Sequence, residues 1–250
     1  MYEVINLGTK RVACYVINIT GSLIVVDSGY PGGFEDFMAR FTEAGFVAAH
    51  VKYLFLTHSH DDHAGFLKEQ LAAFPKAKLI LHREAAERIK LGRNLKIHIA
   101  SSKKIQKVCK FLEFFKLGEH KFPAVNAPNR YLLFEKGGTQ YLKEDKLDIE
   151  IVALPGHTTD SIGLMLPGKR LICGDAVFNM PKLSKCYYPL VLEGVLALQK
   201  TWKYILENAI TLLPSHGNIL SVDCIRAYWD GLGRLQEYPI YSKRRQDKWH

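Results

Sequence analysis

The chain has 250 residues, 48% of them apolar, enough to bury a substantial core in one large domain or two small ones. Its 34 Lys and Arg against 25 Asp and Glu leave a net charge of +9, which favours anionic partners and says nothing about fold. Five cysteines with no C-x-x-C pair exclude a disulfide framework or a thiolate zinc site and point to a reducing, cytoplasmic setting.

Met1 to Ile5 shows no basic region followed by an apolar one, so no export signal is expected. No apolar run approaches about 18 residues, so no membrane span is expected. Residues 12–18 and 22–27 are rich in β-formers and, joined by Ile19-Thr20-Gly21, read as a hairpin. The second run ends in the turn Asp27-Ser28-Gly29-Tyr30-Pro31-Gly32-Gly33. Phe34, Phe37, Met38, Phe41 and Ala44 share one face of a helix that ends at Gly45.

Val51 to Leu56 reads as a short buried strand, and Ala64 to Leu71 as the start of a helix. Between them stands Thr57-His58-Ser59-His60-Asp61-Asp62-His63, with three histidines and two carboxylates in six positions. A lone Asp here would be a helix N-cap and a lone His a core or solvated residue. The whole set points instead to a metal, because imidazole nitrogen and carboxylate oxygen are the ligands of zinc and related divalent ions. His58 and His60, two apart at an extended strand end, project to one side; Asp62 and His63 follow where the chain turns and can face a second point.

Lys78 to His82 is a further strand, completing a β-α-β unit, and Arg83 to Leu91 continues as a helix. From about 88 to 121 ten basic residues face only Glu113 and Glu119, and Ile105, Val108, Cys109, Leu112 and Phe115 fall at helical spacing. A basic amphipathic helix over 102–116 is expected, its charges solvated and its apolar face packed on the domain. The functional alternative is a cap that attracts anionic substrate, or a surface for an acidic partner or membrane. Beyond Gly137-Gly138, strands are expected at 147–154, 161–166 and 169–175, a helix at 194–208, a strand at 209–213 and a closing helix at 222–238. The basic tail 242–250 reads as frayed.

Three further stretches put a ligand-type residue at a strand end before a turn: Pro155-Gly156-His157-Thr158, Gly174-Asp175-Ala176 and Pro214-Ser215-His216-Gly217. Singly each is an ordinary turn; together with 58–63 they add two histidines and a carboxylate above a sheet edge. His50, His82, His98, His120 and His250 lack this setting and read as structural or exposed, with His82, at a strand end, the one nearest to lining the site.

With T-H-S-H-D-D-H-A-G at 57–65, P-G-H-T at 155–158, G-D at 174–175, S-H-G at 215–217 and an early D-S-G at 27–29, the chain resembles the metallo-β-lactamase-fold hydrolases. That superfamily includes glyoxalase II, N-acyl-homoserine lactonases and processing nucleases. The resemblance spans about residues 12–220. It implies an α/β fold, a four-layer αβ/βα sandwich with the site at one sheet edge, in a single domain carrying the basic helical stretch as an insertion. It also implies His58, His60 and His157 on one metal, Asp62, His63 and His216 on a second, Asp175 bridging both, and Asp27 orienting a ligand histidine.

Two divalent ions, zinc by preference with iron or manganese also suited to the ligands, would share a hydroxide that attacks the substrate, with Asp62 as its orienting and proton-carrying residue. The lactonases carry Tyr three residues after the bridging Asp, where this chain has Phe178. A small-molecule substrate is expected, an ester, thioester or lactone, with room for an anionic group. A phosphodiesterase or nuclease, a β-lactam hydrolase and an iron-dependent redox protein remain the alternatives. Base-stacking aromatics are sparse in the basic stretch, which argues against nucleic acid.

Overall fold

The computed structural model describes residues 2–95, 99–114, 120–135, 140–142, 147–184, 186–232 and 238–240. In chain order the first half runs β1 (Tyr2–Asn6), β2 (Tyr15–Ile19), β3 (Ser22–Val26), α1 (Phe34–Glu43), β4 (Val51–Phe55), α2 (Asp61–Ala64), α3 (Leu67–Ala73), β5 (Lys78–His82), α4 (Arg83–Ile89), β6 (Ile99–Ala100), α5 (Lys103–Phe114) and β7 (Tyr131–Phe134). The second half runs β8 (Gln140–Tyr141), β9 (Glu150–Ala153), β10 (Ile162–Leu166), β11 (Arg170–Asn179), β12 (Val191–Leu192), α6 (Val195–Asn208), β13 (Thr211–Gly217), β14 (Leu220–Ser221), α7 (Asp223–Arg226), α8 (Trp229–Leu232) and β15 (Tyr238–Pro239).

Two mixed sheets of six strands stack face to face, ordered β1-β2-β3-β4-β5-β7 and β14-β13-β11-β10-β9-β8. Alternation decides the layers, since successive side chains of a strand leave opposite faces. From the first sheet Tyr15, Ile17, Ile24, Phe55 and Ile80 point inward, meeting Ile151, Ile162, Leu164, Ile172 and Leu213 of the second. Val16, Val25, Leu54, Leu79 and Leu81 point outward and are covered by Phe37, Phe41, Leu67, Leu71 and Ile89 of α1, α3 and α4. Val152, Leu171 and Leu212, on the outer face of the second sheet, are covered by Leu198, Trp202 and Ile205 of α6. The αβ/βα layering read from the sequence is therefore the observed one.

Several elements differ from the sequence-based expectation. The helix expected from Ala64 is two helices, and the first begins early enough to carry Asp61, Asp62 and His63. They are separated at Gly65, where a side chain would drive into the Gly29 carbonyl oxygen. Strand β9 is shorter than 147–154, whereas β11 runs on past 175 to Asn179 and β13 runs on past 213 through His216. The closing helix is two short ones, α7 and α8, broken at Ala227-Tyr228, and 233–237 lies outside the described residues. His98, Phe115, Gly137-Gly138 and the basic tail 242–250 also lie outside them.

The two ends of the basic stretch meet after α4: Arg93 bridges Lys121, and Phe122 N donates to Gly92 O at 3.0 Å. Its helix α5 packs through Ile105 and Cys109 on a small third sheet, β12-β6-β15. Lys103, Lys104, Lys107 and Lys110 are solvated as expected, but Val108, assigned to the apolar face, is exposed.

Candidate metal centre

The two sheets are tied at one edge, and there the predicted ligands meet. Thr57 O accepts from Ile162 N at 2.8 Å, and Ala13 N donates to Ser215 O at 2.7 Å, so the ends of β4 and β13 are each stitched to the opposite half of the chain. Strands β11 and β13 lie parallel and adjacent, with Phe178 paired to His216 and Asp175 Oδ2 3.5 Å from His216 Nε2. The β11 ladder slips at Gly174, whose φ of +53° and contact with Thr57 leave little room for a side chain. That slip keeps Asp175 at the edge although its strand continues.

His58 Nε2 lies 3.0 Å from His60 Nδ1, and His157 Nε2 lies 3.0 Å from the same atom. A second group joins Asp62, His63 and His216, and a third joins His58, His63 and Asp175, the ligand atoms of each group falling within 4.8 Å of one another. Asp175 reaches across: its carboxylate oxygens stand 3.5 Å from His63 Nε2, His157 Nε2 and His216 Nε2. Asp62 lies 3.2 Å from His216 Nε2 and 3.5 Å from His63 Nε2. All seven predicted ligand residues converge, and all of them come from turns or strand ends that sequence patterning located.

The outer nitrogens of the rings are already spoken for. His157 Nδ1 donates to Val191 O at 2.8 Å and His216 Nδ1 to Arg11 O at 2.6 Å. A carbonyl only accepts, so each Nδ1 carries a proton, which leaves each Nε2, turned inward, as the nitrogen that could ligate a metal. His63 Nδ1 likewise donates to Asp27 Oδ2 at 2.8 Å. Asp27 adopts φ +60°, a left-handed conformation that Asp tolerates, and this turns its carboxylate onto Thr57 as well, accepting from Thr57 N and Oγ1 at 2.8 Å each.

Burial first, and then the crowd of neighbouring histidines, holds His58 well below the usual imidazole range. Burial and His157 do the same for His60, against the pull of Asp62. His63 goes the other way: burial lowers it, but Asp62, Asp175 and Asp27 outweigh burial and raise it to about 10. Burial opposes the ionised form of Asp62, yet His63 and His216 hold its carboxyl well below the usual carboxylate range. The donor set fits a metal on one further observation: His63 Nε2 and Asp175 Oδ1 are fully buried, face each other at 3.5 Å, and have no hydrogen-bond partner among the described residues. Leaving such atoms unsatisfied is costly, and a shared cation satisfies both.

Around this set stand further residues, of which sequence reasoning missed Asn94 and the contact made by His120. His120 Nδ1 donates to Asp61 Oδ2 at 3.1 Å, while Asn94 and Asp61 exchange bonds of 2.7 and 2.6 Å. Burial, then the charges of Asp62, Asp61 and Asp175, push the Tyr30 phenol up, so it stays protonated. Phe178 stacks on the His216 ring with centroids 4.4 Å apart. His82 does not line the site: its Nδ1 accepts from Glu84 N and caps α4. Nothing local in the sequence marked His120 or Asn94, since each is brought in by long-range packing.

This fold and this His/Asp cluster define a metal-binding α/β sandwich. The chain belongs to the metallo-β-lactamase superfamily, whose sequence pattern matches residues 7–187. The superfamily consists mostly of metal-dependent hydrolases, with some non-hydrolytic members. Among solved structures, a metallo-β-lactamase with a HARLDQ motif from Cronobacter sakazakii (Enterobacter sakazakii) is 17% identical, with 92% of this chain and 88% of that chain covered and a TM-score of 0.64. The metallo-β-lactamase SMB-1, in a complex with mercaptoacetic acid, is 17% identical over 92% of this chain and 90% of that chain, also at 0.64. The chemotaxis sensor ODP, solved as a peroxy diiron species, is 16% identical over 94% of this chain and 92% of that chain, again at 0.64. Likeness at these identities shows the fold alone. No curated protein matches the chain. No helix among the described residues is long and apolar enough to cross a membrane.

Proposed function

We propose that the chain is a binuclear metal hydrolase acting on a small ester, thioester or lactone. His58, His60 and His157 would hold one divalent ion, Asp62, His63 and His216 the other, with Asp175 between them. The observation that carries this reading is the unsatisfied pair His63 Nε2 and Asp175 Oδ1, with Asp175 within 3.5 Å of histidines from both groups. Bound divalent metal, zinc by preference, supplies Lewis acidity, lowering the pKa of water toward about 7 and polarising an acyl or phosphoryl oxygen.

The rest falls to the protein. Asp62 stays ionised and accepts hydrogen bonds, so it orients the attacking water and carries its proton to the leaving group. Tyr30, protonated and within the field of Asp62, Asp61 and Asp175, offers a hydroxyl donor beside those carboxylates. Phe178 supplies no hydroxyl beside His216, which favours a leaving group that needs no donor there, such as a thiolate, over an alkoxide. The exposed lysines of α5 favour a substrate with an anionic group. Segment 88–121 is, in this reading, an insertion into a single domain, and the five free cysteines support a reducing, cytoplasmic setting.

The test is metal content by mass spectrometry alongside a screen of thioester, lactone, β-lactam and phosphodiester substrates. Two equivalents of metal with thioester or ester turnover are expected. Phosphodiester turnover with salt-sensitive nucleic-acid binding would replace the substrate class. Iron with no hydrolysis of any ester would move the chain to redox chemistry, a reading that the same His and carboxylate donors accommodate.

A further inference from the structure

The turn that carries most of the ligands alternates in what it touches. His58, His60 and Asp62 face the other ligands, while the backbone amides of Ser59 and Asp61 donate away from the centre, to Asp160 Oδ2 at 3.0 Å and to Asn94 Oδ1 at 2.7 Å. Asp160 is wholly buried, and a buried carboxylate must be paired. Its partner is Arg88 of α4, whose Nη1 donates to Asp160 Oδ1 at 2.9 Å and to Glu193 Oε1 at 3.0 Å. Arg88 Nη2 donates to Thr159 Oγ1 at 2.7 Å, and Glu193 Oε2 accepts from Thr159 N at 2.6 Å. Glu193 N in turn donates to Gly156 O and His157 O at 3.0 Å each. One guanidinium fork thus joins the backbone between His58 and His60 to the backbone on both sides of His157.

Resting on the two-metal reading above, we propose that Arg88 and Asp160 are positioning residues for the three-histidine half of the centre. Their clamp sets the spacing of His58, His60 and His157, which come from segments 97 positions apart in the chain. The other half is fixed by different groups: Asp27 on His63 and the Arg11 carbonyl on His216, while Asn94 and His120 hold Asp61 beside Asp62. None of these bonds involves Arg88. A planar guanidinium meets two carboxylates and a hydroxyl at once, which a lysine ammonium cannot do with the same rigidity.

Zinc is titrated into the full-length apo chain against a chromophoric chelator, for the wild type, Arg88→Met, Arg88→Lys and the gentler Asp160→Asn, with circular dichroism confirming the fold. One of the two ions is expected to bind about 10–100-fold more weakly in Arg88→Met and Asp160→Asn, with the second unchanged and Arg88→Lys between. Combined with His157→Ala, Arg88→Met should add nothing; combined with His216→Ala, it should weaken the ion that is left. Equal weakening of both ions, or two wild-type affinities in a folded Asp160→Asn, overturns the proposal. A wild-type chain that takes up no zinc overturns the two-metal reading, and the clamp with it.

Discussion

Asp27→Asn isolates the contribution of a single proton acceptor. Asn tolerates φ +60° at least as well as Asp, so the turn after β3 should persist. The carboxylate accepts three bonds: Thr57 N on Oδ1, Thr57 Oγ1 and His63 Nδ1 on Oδ2. An amide offers only one oxygen. If that oxygen stays with Thr57 N, an NH2 group faces His63 Nδ1, and the imidazole must move its proton to Nε2, the atom that faces Asp175. The lone pair that would bind metal is then lost. Removing one buried hydrogen bond to a charged group costs about 1.5–3 kcal/mol, which at 1.4 kcal/mol per decade is about a 10–100-fold weaker metal affinity. Chelator competition with zinc at neutral pH reads this directly, and circular dichroism should show the fold retained. A variant that binds zinc within twofold of the wild type would show that Asp27 does not govern the His63 tautomer.

His60→Ala removes the nitrogen that faces both His58 and His157, so it should take away one metal ion and abolish hydrolysis; undiminished turnover would break the site assignment. Zinc uptake should release protons. His63, raised to about 10 from 6.5, gives the metal-free fold stability that is full below about pH 6.5 and lost as pH rises through 10, whereas depressed Asp62 contributes above its ordinary value and loses that only in acid. Metal must displace the His63 proton, so affinity should tighten from neutral pH toward 10, and calorimetry in buffers of different ionisation enthalpy should show buffer-dependent heats. Identical heats in all buffers would contradict this. Trp202→Ala empties the core against α6 and removes the bond from Trp202 Nε1 to Ala176 O, next to Asp175. It should cost about 3–5 kcal/mol by denaturant unfolding; a loss below 1 kcal/mol would mean that the site collapses around the gap.

How far the sequence could be read follows from range. The cluster at 58–63 was legible because ligand-type side chains are dense there and strand alternation sends His58 and His60 the same way. The layering was legible because both sheets alternate or run apolar in short bounded stretches. Asp175 was found although its strand was ended there, since nothing local reveals that a slipped ladder lets β11 continue to Asn179. The closing helix was read as one because Val222, Ile225, Tyr228, Trp229 and Leu232 keep helical spacing across the break between α7 and α8. Strand β1 is a half-exposed edge with no clean alternation, and two-residue strands such as β6 and β12 carry no period at all. Arg88, Asn94 and His120 sit among ordinary surface charges in the sequence; tertiary contact alone gives them their places.

The division of ligands between the halves of the chain has a consequence for maturation. Each histidine group draws from both sides: His58 and His60 await His157, while Asp62 and His63 await His216. A nascent N-terminal half displays four of the seven proposed donors with neither group complete, so it would offer a passing ion weak and indiscriminate ligation. Only when the second sheet docks does either coordination set close. On the proposed two-metal reading, metal would then act as a rivet across the sandwich, worth about 4 kcal/mol at a free concentration a thousandfold above its dissociation constant. Acquisition of the ion would then be a proofreading step, rewarding chains whose two sheets have found each other and passing over those that have not.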